Sequence, residues 1–111
     1  MNRLVLLADV VERGAMRYTP AGLPVCDLSL KHESQQTEAG GQRKISMEIR
    51  AVGIGDIAPR LQRLAVGDTG NFSGFLTNQR NGRGIVFHVT EFDICSGSDF
   101  QEVNQHACTP R

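Results

Sequence analysis

Arg80 and Arg83 flank the dipeptide Asn81-Gly82 within a stretch, Asn78 to Gly84, that contains no acid. Both central residues of a type I′ turn need positive φ, and Asn-Gly supplies them, so the stretch reads as a hairpin tip of wholly positive side-chain charge. The chemistry open to such a tip is electrostatic capture of an anionic partner; two exposed arginines serving only solubility is the plainer alternative. Other chemistry finds little support. The chain has no glycine-rich phosphate loop, no HExxH and no GxSxG, and His32, His88 and His106 are scattered. Asp68, Asp93 and His88 satisfy the demands of a metal-dependent hydrolase by residue type alone. Asp68, directly after Gly67, is better read as turn chemistry. No catalysis, metal or cofactor is expected.

The elements that must hold the arginines are strands. Before the tip, Phe72, Gly74 and Leu76 share one parity, against Asn71, Ser73, Phe75 and Thr77. After it, Ile85, Phe87 and Val89 share a parity that Phe92 and Ile94 break, which a β-bulge near Thr90 reconciles. At the other end of the chain, Arg3 to Val11 is apolar on both faces. One face meets the core, and the other calls for a cover such as a second subunit. Gly14 permits a bend, Ala15 to Thr19 continue the strand, and Pro20-Ala21-Gly22 makes a tight turn. Pro24 to Glu33 alternates cleanly, with Cys26, Leu28 and Leu30 inward and Asp27, Ser29, Lys31 and Glu33 outward. Ser34 to Gln42 is polar and reads as a flexible loop. The third strand turns Ile45, Met47, Ile49 and Ala51 inward and Lys44, Ser46, Glu48 and Arg50 outward. Gly53 to Gly67 is the one helical segment, with Asp56 as N-cap, Ile57, Leu61 and Leu64 as its apolar stripe, and Gly67 after its end.

Three strands, a short helix and two more strands predict an all-β fold, a five-stranded oligonucleotide/oligosaccharide-binding (OB) barrel with the helix between strands three and four. The 111 residues make one such domain over 1–95, followed by a tail over 96–111 with little apolar content, expected to be disordered. Twelve basic residues balance twelve acidic ones, which excludes bulk-charge binding and leaves local patches. The N-terminal apolar run is too short for a leader or membrane span, since Asp9 interrupts it. Three cysteines without CxxC spacing argue against zinc or a disulfide framework and for a reducing cytoplasm.

Asn2-Arg3-Leu4-Val5-Leu6, Thr19-Pro20-Ala21-Gly22-Leu23-Pro24-Val25-Cys26, and Val66-Gly67-Asp68 through Gly74-Phe75 resemble the single-stranded-DNA-binding-protein superfamily. Within it, His32 before a polar loop with Glu38-Ala39-Gly40, and Asn81-Gly82 before Ile85-Val86-Phe87-His88, look most like the primosomal replication protein N (PriB) branch. The match runs from residue 2 to about 95. The resemblance implies a homodimer of barrels that binds single-stranded DNA without a cofactor. It also implies an adapter role in replication restart, stabilising a primosomal helicase on DNA and helping recruit helicase-loading factors. The family's basic loop between strands four and five falls on Arg80 and Arg83, and its basic start of strand three on Arg43 and Lys44. With the outward Lys31, Ser46 and Arg50, these are the expected nucleic-acid contacts. Ser46 stands where family members can carry a stacking aromatic, and Gly40-Gly41 also lacks one. Single-strand binders combine cations with aromatic platforms; Phe75, of outward parity, and Phe87, more readily read as core, are the candidates here, so weak and mainly electrostatic binding is expected. The runner-up is a general single-strand-coating protein; the short, non-acidic ending Ala107 to Arg111 tilts the reading toward an adapter. An oligosaccharide- or protein-binding barrel would show no DNA affinity at low salt.

Overall fold

The computed structural model describes residues 1–79 and 82–95. The expected tail, and Arg80 with Asn81 at the hairpin tip, lie outside the described residues. In chain order the elements are β1 (Leu4–Arg13), β2 (Arg17–Tyr18), β3 (Pro24–Glu38), β4 (Gly41–Ile54), α1 (Ile57–Gln62), β5 (Thr69–Asn78) and β6 (Ile85–Ile94). β1 pairs antiparallel with β5 over Leu4 to Asp9 and with β3 over Asp9 to Arg13. β3 pairs antiparallel with β4, β4 meets β6 in parallel at Ala51 and Val52, and β6 returns antiparallel to β5. That circuit of five strands closes on itself, which removes most free edges, and it is the OB barrel the element order predicts. β2 is a two-residue addition on β3, left where the chain breaks its first strand after Gly14.

Alternation fills the barrel. Leu6, Ala8 and Val10 of β1, Cys26, Leu28 and Leu30 of β3, Ala51 of β4, Phe72 of β5, and Phe87 and Val89 of β6 are buried together. Ile57, Ala58, Leu61 and Leu64 close one end, so the apolar stripe of the helix does the work expected of it. The helix itself is shorter than the expected Gly53–Gly67, at six residues. Asp56 is not a side-chain cap either: it has helical φ and ψ and makes no capping bond. A helix this short is held by its buried face rather than by its ends. Arg13 of β1 reaches over and donates to the Leu64 carbonyl, tying the segment after the helix to the barrel.

Two further departures have local causes. Ser34 to Gln42 is not a loop but the end of a long hairpin, paired from Val25↔Ile54 out to Glu38↔Gly41. Its turn is only Ala39-Gly40, both with positive φ (53° and 80°), the geometry of a two-residue primed turn. The arm projects past the barrel, so neither face has a core to cover and the alternation that marks a strand disappears from the sequence. Met47 is exposed for the same reason, although its parity is inward. On β5, Asn71 has outward parity yet is buried. The bulge, by contrast, lies at the expected residue. Ser73 pairs with Glu91 and Gly74 with Val89, leaving Thr90 as the extra residue.

Cys26 is fully buried and a free thiol. Burial, ahead of neighbouring charge, pushes the Cys26 thiol above its ordinary range. Its contribution to stability is therefore present in full below the ordinary thiol pKa, and is lost as pH rises through it toward the raised native value. Alkylation of Cys26 at pH 8, followed by mass spectrometry, should be slower than in denaturant by a factor on the order of 1,000 or more. Opening a core strand takes close to the global unfolding free energy of about 5 kcal/mol or above. Alkylation at a comparable rate in both states would show that β3 is not core.

Candidate nucleic-acid interface

The β3–β4 hairpin sets the register of the outward cations. Ser29 faces Arg50, Lys31 faces Glu48, Glu33 faces Ser46, and Gln35 faces Lys44 across the ladder. Lys31, Lys44, Ser46 and Arg50 therefore share one outer face, but Glu33 and Glu48 lie among them. Lys31 is 3.6 Å from Glu33, and Ser46 donates to the same carboxylate at 3.4 Å. Lys44 and Arg50 have no carboxylate at ion-pair distance among the described residues. Arg43 has the opposite parity. It projects from the other face of the arm and is engaged by Glu38 at 2.6 Å. With Asp27, which is bonded to Arg17, the face sets Lys31, Lys44 and Arg50 against three acids, and Lys44 and Arg50 are the two without a carboxylate at ion-pair distance among the described residues.

Below the arm, this face runs into a groove of about 450 Å³. Arg17 and Thr19 wall it on the β2 side, Arg50, Val52 and Ile54 form its floor, and Asn78, Gln79 and His88 close the far side. Arg17 is bound to Asp27 through two bonds, at 2.6 and 3.2 Å, and the bonded carboxylate holds its guanidinium more firmly charged. Thr19 is fixed by its own turn, its hydroxyl accepting from the Leu23 N–H at 3.1 Å. The groove is thus rigid on one side and bordered on the other by the β5–β6 connection, whose described ends are joined by Gln79 N–H to Gly84 O at 3.1 Å. Arg83 lies in that connection and is exposed.

His88 leaves the groove toward β5, where its ring stacks on Phe75 with centroids 4.9 Å apart and planes 14° off parallel. His32 is spent elsewhere: its two ring nitrogens meet the Leu7 carbonyl at 2.7 Å and the Ser34 hydroxyl at 2.8 Å. Asp68 accepts from the Ala65 N–H at 2.9 Å and makes the turn into β5. Among the described residues no three His, Cys, Asp or Glu side chains are grouped to hold a metal ion. No helix there is long and apolar enough to cross a membrane.

Residues 2–91 match the model of a family described as another single-strand binding protein family. A replication restart protein PriB of Bordetella pertussis is 48% identical over 80 residues, covering 72% of this chain and 75% of that protein. One from Neisseria gonorrhoeae is 43% identical over 77% of this chain and 84% of its own. The structure of the PriB protein from Ralstonia solanacearum superposes with a TM-score of 0.78 at 39% identity, over 85% of this chain and 97% of that one. The chain belongs to the PriB replication-restart family. The fold is shared more widely, since a single-stranded DNA binding protein from Thermus aquaticus matches with a TM-score of 0.71 at 26% identity, over 87% of this chain and 51% of that one.

Of the contacts expected from the sequence, the structure brings Lys31, Lys44, Ser46 and Arg50 onto one face and turns Arg43, expected among them, to the other. Arg83 stands on the β5–β6 side, separated from that face by the groove, and Arg80 lies outside the described residues. What the sequence reading missed is the groove itself and its far wall. The signal was available: Phe75 and His88 both have outward parity, and the hairpin that joins them sets them opposite each other. Arg17 and Asp27 were missed because their pairing depends on β2, a strand two residues long.

Proposed function

We propose that this chain binds single-stranded DNA across the outer face of β3–β4 and the adjoining groove, as a replication-restart adapter rather than an enzyme. The observation that carries the reading is the conjunction, on one surface, of the unpaired cations Lys44 and Arg50 with a groove walled by the β2 turn and the β5–β6 connection. OB barrels take oligonucleotides on that surface. Glu33 and Glu48 keep the attraction weak, which suits a protein that must pass DNA on rather than coat it. Relatives named for replication restart support the further roles: holding a primosomal helicase on DNA and helping recruit loading factors.

The functional unit in this reading is a homodimer in the cytoplasm. Among the described residues, Leu4 to Ala8 of β1 pair with β5 alone, β3 joining from Asp9 onward and its His32 reaching the Leu7 carbonyl. Leu7 is 38% exposed on that same stretch. A largely unpaired edge with apolar side chains invites a second copy.

A charge-reversing double variant, Lys44→Glu with Arg50→Glu, tests the DNA face. Each lost phosphate contact should flatten the dependence of log affinity on log salt by about 0.7, so by about 1.4 for the pair. The thermal midpoint should hardly move, both residues being exposed. Unchanged affinity and slope in the double variant would remove this face from the interface.

A further inference from the structure

Three features compete for a role beyond electrostatics: the largely unpaired edge of β1, the exposed apolar Met47 on the arm, and the Phe75–His88 stack. The first belongs to the dimer already proposed, and nothing about the second says what covers it. The stack is different, because one of its members opens onto the groove.

Phe75 is 38% exposed, and its ring lies nearly flat on the imidazole of His88. A cross-strand aromatic pair supports a sheet modestly, but here the pair stands on the outer face of β5 and β6 and keeps apolar area in water. His88 pairs in parallel register with Val52, which lines the groove floor. The two rings therefore form a short stack at the groove wall, on whose open end a further aromatic plane can continue the stack. Flat, polarisable, half-exposed surfaces favour offset stacking with another aromatic plane. Asn78 and Gln79 line the groove with His88, and their side-chain amides each hold donors and an acceptor and so can meet the edge of any base. Arg50 stands on the groove floor, where a backbone phosphate would come to rest. Meanwhile the β3–β4 face between Lys44 and Arg50 carries Ser46 and no aromatic. Cations and rings have been separated into adjacent places.

We infer that the Phe75–His88 stack is the base-stacking platform of this interface, receiving one unpaired nucleobase at the groove while the backbone crosses toward Arg50. This rests on the proposal that the chain binds single-stranded nucleic acid. A base must leave its duplex to reach the stack, so the platform discriminates against double strands in a way that Lys44 and Arg50 do not. Stacking is tolerant of base identity, since every base has a π-face. The site therefore selects for strandedness and not for sequence.

The test uses a labelled oligothymidine and an abasic oligomer of equal length, titrated with wild type and with a Phe75→Leu/His88→Gln double variant. Thymidine affinity should fall about 5- to 150-fold in the variant, the range expected for one stacked base. Its salt slope should be unchanged, and abasic affinity should be equal for the two proteins. Equal thymidine affinity in wild type and variant overturns the platform, as does an equal loss on both oligomers. If wild type binds neither oligomer at low salt, the DNA-binding proposal itself falls, and the platform with it. A second readout needs no substitution. Ultraviolet cross-linking of wild type to oligothymidine should give an adduct on the peptide holding Phe75 or that holding His88, and adducts confined to other peptides contradict the assignment.

Discussion

Replacing Phe72 by alanine should lower the stability of the barrel by about 3–5 kcal/mol, the largest single-residue effect we expect among the core side chains. Phe72 is wholly buried, and its ring lies 5.8 Å from that of Phe92 at 27°. It pairs with Leu6 on one neighbouring strand and Phe92 on the other. Truncation opens a void whose walls belong to three strands of a closed circuit, so none can move inward without dragging the others. The outer side of Phe92 is also occupied, by the Arg60 guanidinium 4.9 Å from its centroid, itself bonded to Glu91 at 3.0 Å. The site has little means to collapse. Domains of this size lose about 4–8 °C per kcal/mol, so the thermal midpoint followed by circular dichroism should fall by roughly 15–30 °C. A shift below about 5 °C would mean that the void refills and that the circuit is looser than described.

A single methyl group at Gly74 should cost about 3 kcal/mol or more, at the upper end of what overpacking does. A Cβ there would stand 1.8 Å from the His88 carbonyl oxygen and 2.8 Å from its carbon. Those obstacles are main-chain atoms, which cannot rotate aside as a side chain would. Relief requires β5 and β6 to part at the point where Thr90 bulges out of the ladder. The same movement would carry the His88 ring away from Phe75, so the variant should lose oligothymidine affinity in whatever fraction still folds. Gly41→Ala is the matching control. Its nearest neighbour would be 3.8 Å away, and its effect should stay within about 0.5 kcal/mol. Equal midpoints for the two variants in thermal unfolding would contradict the close approach of β5 to β6.

Phe72, Phe87, Leu28 and Leu30 were legible from parity because each has a covered face and an open one, and the barrel order follows from those strands and their turns. Even the bulge at Thr90 was legible, since a parity switch inside one strand has few other causes. Legibility ended where neither face is covered. From Ser34 to Glu38 and from Gly41 to Lys44 the hairpin arm stands in solvent on both sides, so polar residues carry no period and a strand looks like a loop. The helix was overextended because Leu64 falls in phase with Ile57 and Leu61, although the chain has left helical geometry before it. For the interface, residue type and parity correctly grouped Lys31, Lys44, Ser46 and Arg50. They also placed Glu33 and Glu48 on that face, but which residue each acid meets across the ladder needs the register of two strands. They did not reveal the groove, which is a property of how β2, β4 and β6 meet and not of any one segment.

The central claim is that a family fold with few free cations still grips single-stranded DNA through a small electrostatic contact. A labelled oligothymidine titration at two salt concentrations, with the protein's mass determined in the same buffer, tests it most directly. With about 3 to 5 phosphates neutralised per site, log affinity should fall against log salt with a slope of about −2 to −3.5, and the mass should be that of a dimer. A monomer that fails to bind at the lower salt would contradict the account.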